Sequence, residues 1–137
     1  MKVLFLNPPF KTEFGKFSRT SRSPAVTKSG TVYYPIWLAY AAGNCEKHGN
    51  VIEFIDSCAY RLSLKETLDK IDAFNPDMVL LDTSTPSIIS DLNVVNNVKK
   101  QNGNIITCVM GTHPSALPKE TLELEKQLDI IIRGEVD

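Results

Sequence analysis

Short apolar runs recur along the chain, each closed by a polar or turn-forming cluster and most followed by a stretch with helical spacing. Lys2 to Leu6 is rich in β-formers and stops at Asn7-Pro8-Pro9, where two prolines forbid continuation of a ladder. Pro35 suits a first helical turn, and Leu38, Ala41, Ala42 and Cys45 follow at helical spacing. Lys47-His48-Gly49-Asn50 closes that helix, with Gly49 offering a left-handed stop and His48 a surface position at the helix end. Val51 to Ile55 predicts a second strand with a polar tip at Asp56-Ser57. Ser63-Leu64-Lys65-Glu66 is a capping box, and Leu64, Leu68 and Ile71 form one apolar stripe behind it, ending before Asn75-Pro76. Met78 to Asp82 is too short for a buried helix and opens into Thr83, Ser84, Thr85, Pro86 and Ser87, which predicts a buried central strand and a ligand loop. Ile88, Leu92 and Val95 mark a third helix that ends at Lys99-Lys100 and the turn 101–104. Ile105 to Met110 predicts a fourth strand running into the turn Gly111-Thr112-His113-Pro114, Pro118 begins a short fourth helix, and Asp129 to Ile132 supplies a fifth strand ended by Arg133-Gly134-Glu135.

Strands alternate with helices, and the connections are long enough for right-handed crossovers. The predicted fold is α/β: a three-layer, doubly wound, five-stranded parallel sheet of flavodoxin-like or Rossmann-like type, with strand order 2-1-3-4-5. Every polar cluster follows a strand, so all of them gather on the carboxyl edge, where such sheets bind ligands. Residues 10–31 interrupt the pattern. Lys11, Lys16, Arg19, Arg22 and Lys28 are balanced only by Glu13, and Phe10, Phe14 and Phe17 are interleaved with them. This stretch is either a solvated excursion or a flap that folds over an anionic ligand or docks a neighbouring domain.

Composition narrows the classes. With 137 residues, 42% apolar and 23% charged, the chain fits one domain, residues 1–137, and its net charge of −1 favours neither nucleic acid nor an anionic membrane. No apolar run approaches a membrane span and no cleavable leader is evident, so a cytoplasmic protein is expected. The three cysteines are far apart and suit neither a disulfide framework nor a zinc or iron–sulfur spacing. Cys45 and Cys108 lie in apolar contexts and read as core, whereas Cys58 follows a strand end and stays open.

Motifs exclude several ligands. No Gly-x-Gly-x-x-Gly or P-loop follows any strand, which argues against dinucleotides and nucleoside triphosphates. A phosphoacceptor domain would need clustered carboxylates at strand ends, but the first strand ends in Asn-Pro-Pro. An FMN-binding electron carrier needs a hydroxyl-rich loop after the first strand, and here that loop follows the third, which strains that reading and leaves it open.

The order of motifs resembles the N-terminal cobalamin-binding domain of B12-dependent radical SAM proteins, the group that includes anaerobic magnesium-protoporphyrin monomethyl ester cyclases and many methyltransferases. The resemblance is carried by Leu6-Asn7-Pro8-Pro9, Tyr34-Pro35-Ile36-Trp37-Leu38-Ala39-Tyr40, Phe54-Ile55-Asp56, Asn75-Pro76-Asp77-Met78-Val79, Thr83-Ser84-Thr85-Pro86-Ser87, Val109-Met110-Gly111-Thr112-His113-Pro114 and Ile131-Ile132-Arg133-Gly134-Glu135. It implies a corrin on the carboxyl edge of the sheet with its nucleotide tail running between strands. It also implies cofactor contacts from Asn7, Pro8, Pro9, Asp56, Thr83, Ser84, Thr85, Gly111, Thr112, His113, Gly134 and Glu135. The serine loop after the third strand matches Ser84. The double glycine after the fourth strand matches Gly111-Thr112, with only the first glycine kept.

Cobalamin domains of the mutase and methionine synthase type take a cobalt-ligating histidine from an Asp-x-His-x-x-Gly loop after the first strand, and that motif is absent here. His113 follows the fourth strand and reads as a turn or tail-contacting residue. The resemblance therefore implies cobalamin bound base-off with no protein histidine, and neither catalytic residues nor a metal ligand within the chain. It further implies that S-adenosylmethionine and a [4Fe-4S] cluster belong to a radical SAM domain expected in cis after residue 137, so the chain alone is not expected to be active. The alternatives are a docking domain of the same fold that binds no cofactor, and the FMN carrier.

Overall fold

A computed structural model of the chain describes residues 1–10, 13, 15–19 and 24–136. The first apolar run is β1 (Lys2–Asn7), followed by a small antiparallel pair, β2 (Lys16–Ser18) and β3 (Ala25–Thr27). Then come α1 (Ile36–Lys47), β4 (Val51–Asp56), α2 (Leu64–Phe74), β5 (Met78–Thr83), α3 (Ile88–Gln101), β6 (Ile106–Gly111), α4 (Thr112–Ala116), α5 (Pro118–Leu124) and β7 (Ile130–Ile131). Five strands form one parallel sheet in the order β4-β1-β5-β6-β7. This is the expected 2-1-3-4-5 order, and it reverses direction between β1 and β5.

Strand alternation builds two cores. Leu4, Leu6, Val79, Leu81 and Val109 point to one face, where Ile71 of α2 and Leu92, Val94, Val95 and Val98 of α3 cover them. Val3, Phe5, Leu80, Cys108 and Met110 point to the other, under Leu38, Ala41 and Ala42 of α1. Both faces of the central strands are thus buried, which explains why they read as continuous apolar runs, whereas edge strand β4 alternates over its first four residues. Each fully buried Val, Leu, Ile, Phe or Met side chain among them contributes about 1.5–3 kcal/mol. A one-residue slip would exchange the two sets, so the register is strongly held.

The helix ends follow their local chemistry. Ser63 Oγ accepts from the Glu66 backbone N–H at 3.2 Å, and Glu66 accepts in return from the Ser63 N–H at 2.8 Å. Asn75 ends α2 in the left-handed region ahead of buried Pro76. His48 caps α1 on the exposed surface, followed by Gly49 at φ +81°. Among the described residues, no helix is long and apolar enough to cross a membrane.

Four elements depart from the expected pattern. β2 and β3 are three residues each, too short for periodicity to reveal. Residues 112–116 form a helix rather than a turn, because Pro114 sits in its first turn, where no backbone N–H is needed. The fifth strand is a two-residue ladder, extended by backbone hydrogen bonds from Asp129 to Thr107 and from Ile132 to Val109. Of the 10–31 stretch, Phe17, Ser18 and Arg19 are buried and Phe10 stacks on Phe17 at 4.1 Å, so a solvated excursion does not describe them. Lys11, Phe14 and Arg22 lie outside the described residues.

Candidate functional site

The carboxyl edge carries a buried polar network. Asn7, at the end of β1, donates to Asp56 at the end of β4 at 2.8 Å, and Asp56 also accepts from the Ala59 backbone N–H. Arg19 reaches in from the segment after β2. Its Nη1 donates to Asn7 Oδ1 at 2.8 Å, to the Pro8 carbonyl at 2.7 Å and to Cys58 Sγ at 3.1 Å. Its Nε and Nη2 clamp the Asp91 carboxylate of α3. Asp91 further accepts from Thr83 Oγ1 at 2.7 Å and Ser87 Oγ at 2.6 Å, and Ser87 Oγ is 2.8 Å from Ser84 Oγ. Burial works against the guanidinium charge, but Asp91 and Cys58 outweigh it and hold the Arg19 pKa above its ordinary value. Burial pushes the Cys58 thiol up, against the pull of Arg19, and the protonated thiol donates to the Pro8 carbonyl. Cys58 is therefore a packed, inert thiol.

Beside this network lies a cavity of about 880 Å³. Asp82 and Thr83 line it from β5, Met110 and Gly111 from β6, and Thr112, Ser115 and Ala116 from α4. Trp37 of α1, Arg19 and the segment 134–136 complete it. The Gly134 N–H donates to Ser115 Oγ at 3.0 Å, which ties that segment to α4. Gly111 has φ +120°, and a Cβ there would run into the Thr83 carbonyl oxygen and come within 3.1 Å of Asp82 Oδ1. Only glycine fits between the ends of β5 and β6 at this point. Burial pushes the Asp82 carboxyl up to about 7, with Arg19 opposing and Asp91 and Asp56 adding to the rise.

The structure sorts the residues expected from the sequence. Thr83, Gly111, Thr112, Gly134 and Glu135 meet at the cavity. Asn7, Pro8, Asp56 and Ser84 belong to the buried network. Pro9 lines a separate cavity of about 310 Å³ between the starts of α2 and α3, and Thr85 is exposed on a short 3-10 turn. His113 is buried, with neither ring nitrogen hydrogen-bonded among the described residues, and it does not line the cavity. Among the described residues, no cluster of three or more His, Cys, Asp or Glu could hold a metal ion.

Sequence reasoning missed Arg19, Asp91, Asp82, Trp37 and Ser115. Asp91 carried a signal, since it shares the helical stripe of Ile88, Leu92 and Val95, and a carboxylate on a buried face demands a partner. Arg19 carried none, because its partner lies 72 residues away.

The chain is 26% identical over 136 residues to an anaerobic magnesium-protoporphyrin IX monomethyl ester cyclase of Rubrivivax gelatinosus, an alignment covering 98% of this chain and 22% of that protein. It is 26% identical over 135 residues to an uncharacterized methyltransferase of Pyrococcus horikoshii, covering 98% of this chain and 27% of that one. The chain therefore spans about a quarter of the length of these relatives. Its fold is similar to that of the response regulator protein TrrA of Thermotoga maritima in complex with Mg(2+)-BeF, with a TM-score of 0.57 and 14% identity over 99% of this chain and 88% of that one; this likeness concerns the fold alone. A model of the B12 binding domain matches residues 22–137, from before α1 to the segment that closes the cavity, and the chain belongs to that family.

Proposed function

We propose that the chain is the cobalamin-binding module of a radical SAM enzyme of methyltransferase or cyclase type, holding the corrin base-off at the carboxyl edge. The observation that carries this reading is the cavity of about 880 Å³ at the ends of β5 and β6, where Gly111 lets the two strand ends close against each other as no other residue would. The lining suits a large organic cofactor. Met110, Trp37, Ala116 and Val136 offer apolar contact, while Thr83, Thr112 and Ser115 offer hydroxyls to a ligand fringed with amides. Gly134 and Glu135 stand at the same opening, and Asn7, Asp56 and Ser84 hold the strand ends in place. Neither of the two histidines lines the cavity, which supports cobalamin held without a protein histidine.

Bound cobalamin supplies a cobalt-centred methyl or electron carrier, and the part of this chain is to bind and orient it. The greater length of the relatives supports a radical SAM domain in cis, carrying S-adenosylmethionine and a [4Fe-4S] cluster. The three unpaired cysteines support a cytoplasmic setting. The test is titration of the purified chain with hydroxocobalamin and methylcobalamin, followed in the visible spectrum. Saturable binding with a base-off spectrum is expected. A spectrum unchanged from free cobalamin at every protein concentration would overturn the reading. It would favour a docking domain without cofactor, for which the exposed rings of Trp37 and Tyr40, 6.2 Å apart, offer a surface.

A further inference from the structure

Three buried aspartates converge on the carboxyl edge, and they are not equally served. Asp91 takes Arg19, Thr83 and Ser87, and Asp56 takes Asn7 and the Ala59 N–H. Among the described residues no side chain donates to Asp82, and only Arg19 and the Thr83 backbone N–H act to lower its pKa. It is 6% exposed, and it lines the cavity. The charged groups around it are Arg19 from the segment after β2, Asp91 on α3 and Asp56 at the end of β4, with Glu135 lining the same cavity. The one guanidinium among them is already clamped on Asp91.

A ligand filling the cavity removes the last water available to Asp82. An ionised carboxylate would then be desolvated next to two other carboxylates, which is costly. The neutral acid avoids that cost and has an O–H to donate. Around neutral pH both forms of the free protein are populated, since burial brings this carboxyl to about 7.

We propose that Asp82, protonated, donates a hydrogen bond to an oxygen of the corrinoid bound in this cavity, so that a proton is taken from solvent as the ligand binds. The acceptor is an amide carbonyl of the macrocycle or a phosphate oxygen of the nucleotide tail. The inference rests on the cofactor reading above and adds to it a residue and a coupled proton.

The experiment is cobalamin affinity measured by spectral titration from pH 6 to pH 8. Calorimetry in two buffers of different ionisation heat counts the protons taken up. Affinity should fall about tenfold between pH 6 and pH 8, as binding selects the protonated form. Asp82→Asn keeps a donor that does not ionise, and its affinity should be flat across that range with no proton uptake linked to the step. With cobinamide, which lacks the nucleotide, a surviving pH step assigns the amide and a lost step assigns the phosphate. Equal affinity at pH 6 and pH 8, or an Asp82→Asn variant with the same step as the parent, overturns the proposal while leaving cobalamin binding intact. Absence of saturable binding at every pH removes the cofactor reading and this proposal together.

Discussion

Arg19 and Asp91 form a fully buried ion pair that fastens the segment after β2 to α3, across 72 residues of sequence. The same guanidinium holds Asn7 and the Pro8 carbonyl, so it links the end of β1 to α3, and Asp91 in turn accepts from Thr83 at the end of β5. Its cavity-lining position brings one residue of the 10–31 stretch, Arg19 itself, into the site.

Breaking this pair from either side leaves an uncompensated buried charge. Arg19→Met or Asp91→Leu alone should each lower stability by about 3–5 kcal/mol, measured by urea unfolding. The double variant should lose clearly less than the sum of the two. Additive losses would show that the two charges do not act as a pair.

Gly111 and Gly134 separate two causes of glycine preference. Gly134 has φ +75° with nothing within 4 Å of an added Cβ, so Gly134→Ala should cost only the left-handed backbone term of about 1–2 kcal/mol. Gly111→Ala adds the collision with the Thr83 carbonyl and should cost more, as well as abolishing cobalamin binding. Equal losses in thermal unfolding would contradict the packing described between β5 and β6.

Asp82 should make stability depend on pH. Its folded pKa, about 7, lies above the ordinary 3.8, so the folded state holds the proton more tightly. Its contribution is fully present below the unfolded value and is lost as pH rises towards and through 7. Asp82→Asn should therefore be the more stable protein at pH 8, by on the order of 1–3 kcal/mol, and the advantage should shrink towards pH 5. Urea unfolding of both proteins at a series of pH values measures the difference, and a constant gap would count against the raised carboxyl.

Trp37 is the chain's single tryptophan and lines the cavity. Cobalamin binding should quench its fluorescence with the midpoint seen in the visible titration. Trp37→Phe should abolish the fluorescence signal and keep the visible one. Trp37→Ala should weaken binding by about 1 kcal/mol, several-fold, through loss of ring contact. Visible binding without quenching would place the ligand elsewhere.

The sequence by itself determined what local chemistry and strand order can dictate. Period-two and helical spacing, the Ser63–Glu66 box, Asn75-Pro76 and Gly49 set the elements of the main sheet and the ends of its helices. Parallel topology then brought Thr83, Gly111, Thr112, Gly134 and Glu135 to one edge, because every parallel strand ends on the same side. Tertiary structure decided which of those groups meet a cavity and which are consumed by one another. Asp82 follows Met78 and Leu80 towards the α1 face, while Thr83 follows Val79 and Leu81 towards α2 and α3, where Asp91 binds it. Alternation alone assigns the parity and not the helix that covers each face. The pairing of Arg19 with Asp91 lay further out of reach, since a contact across 72 residues leaves no spacing to read and exists only once the sheet has brought both ends together.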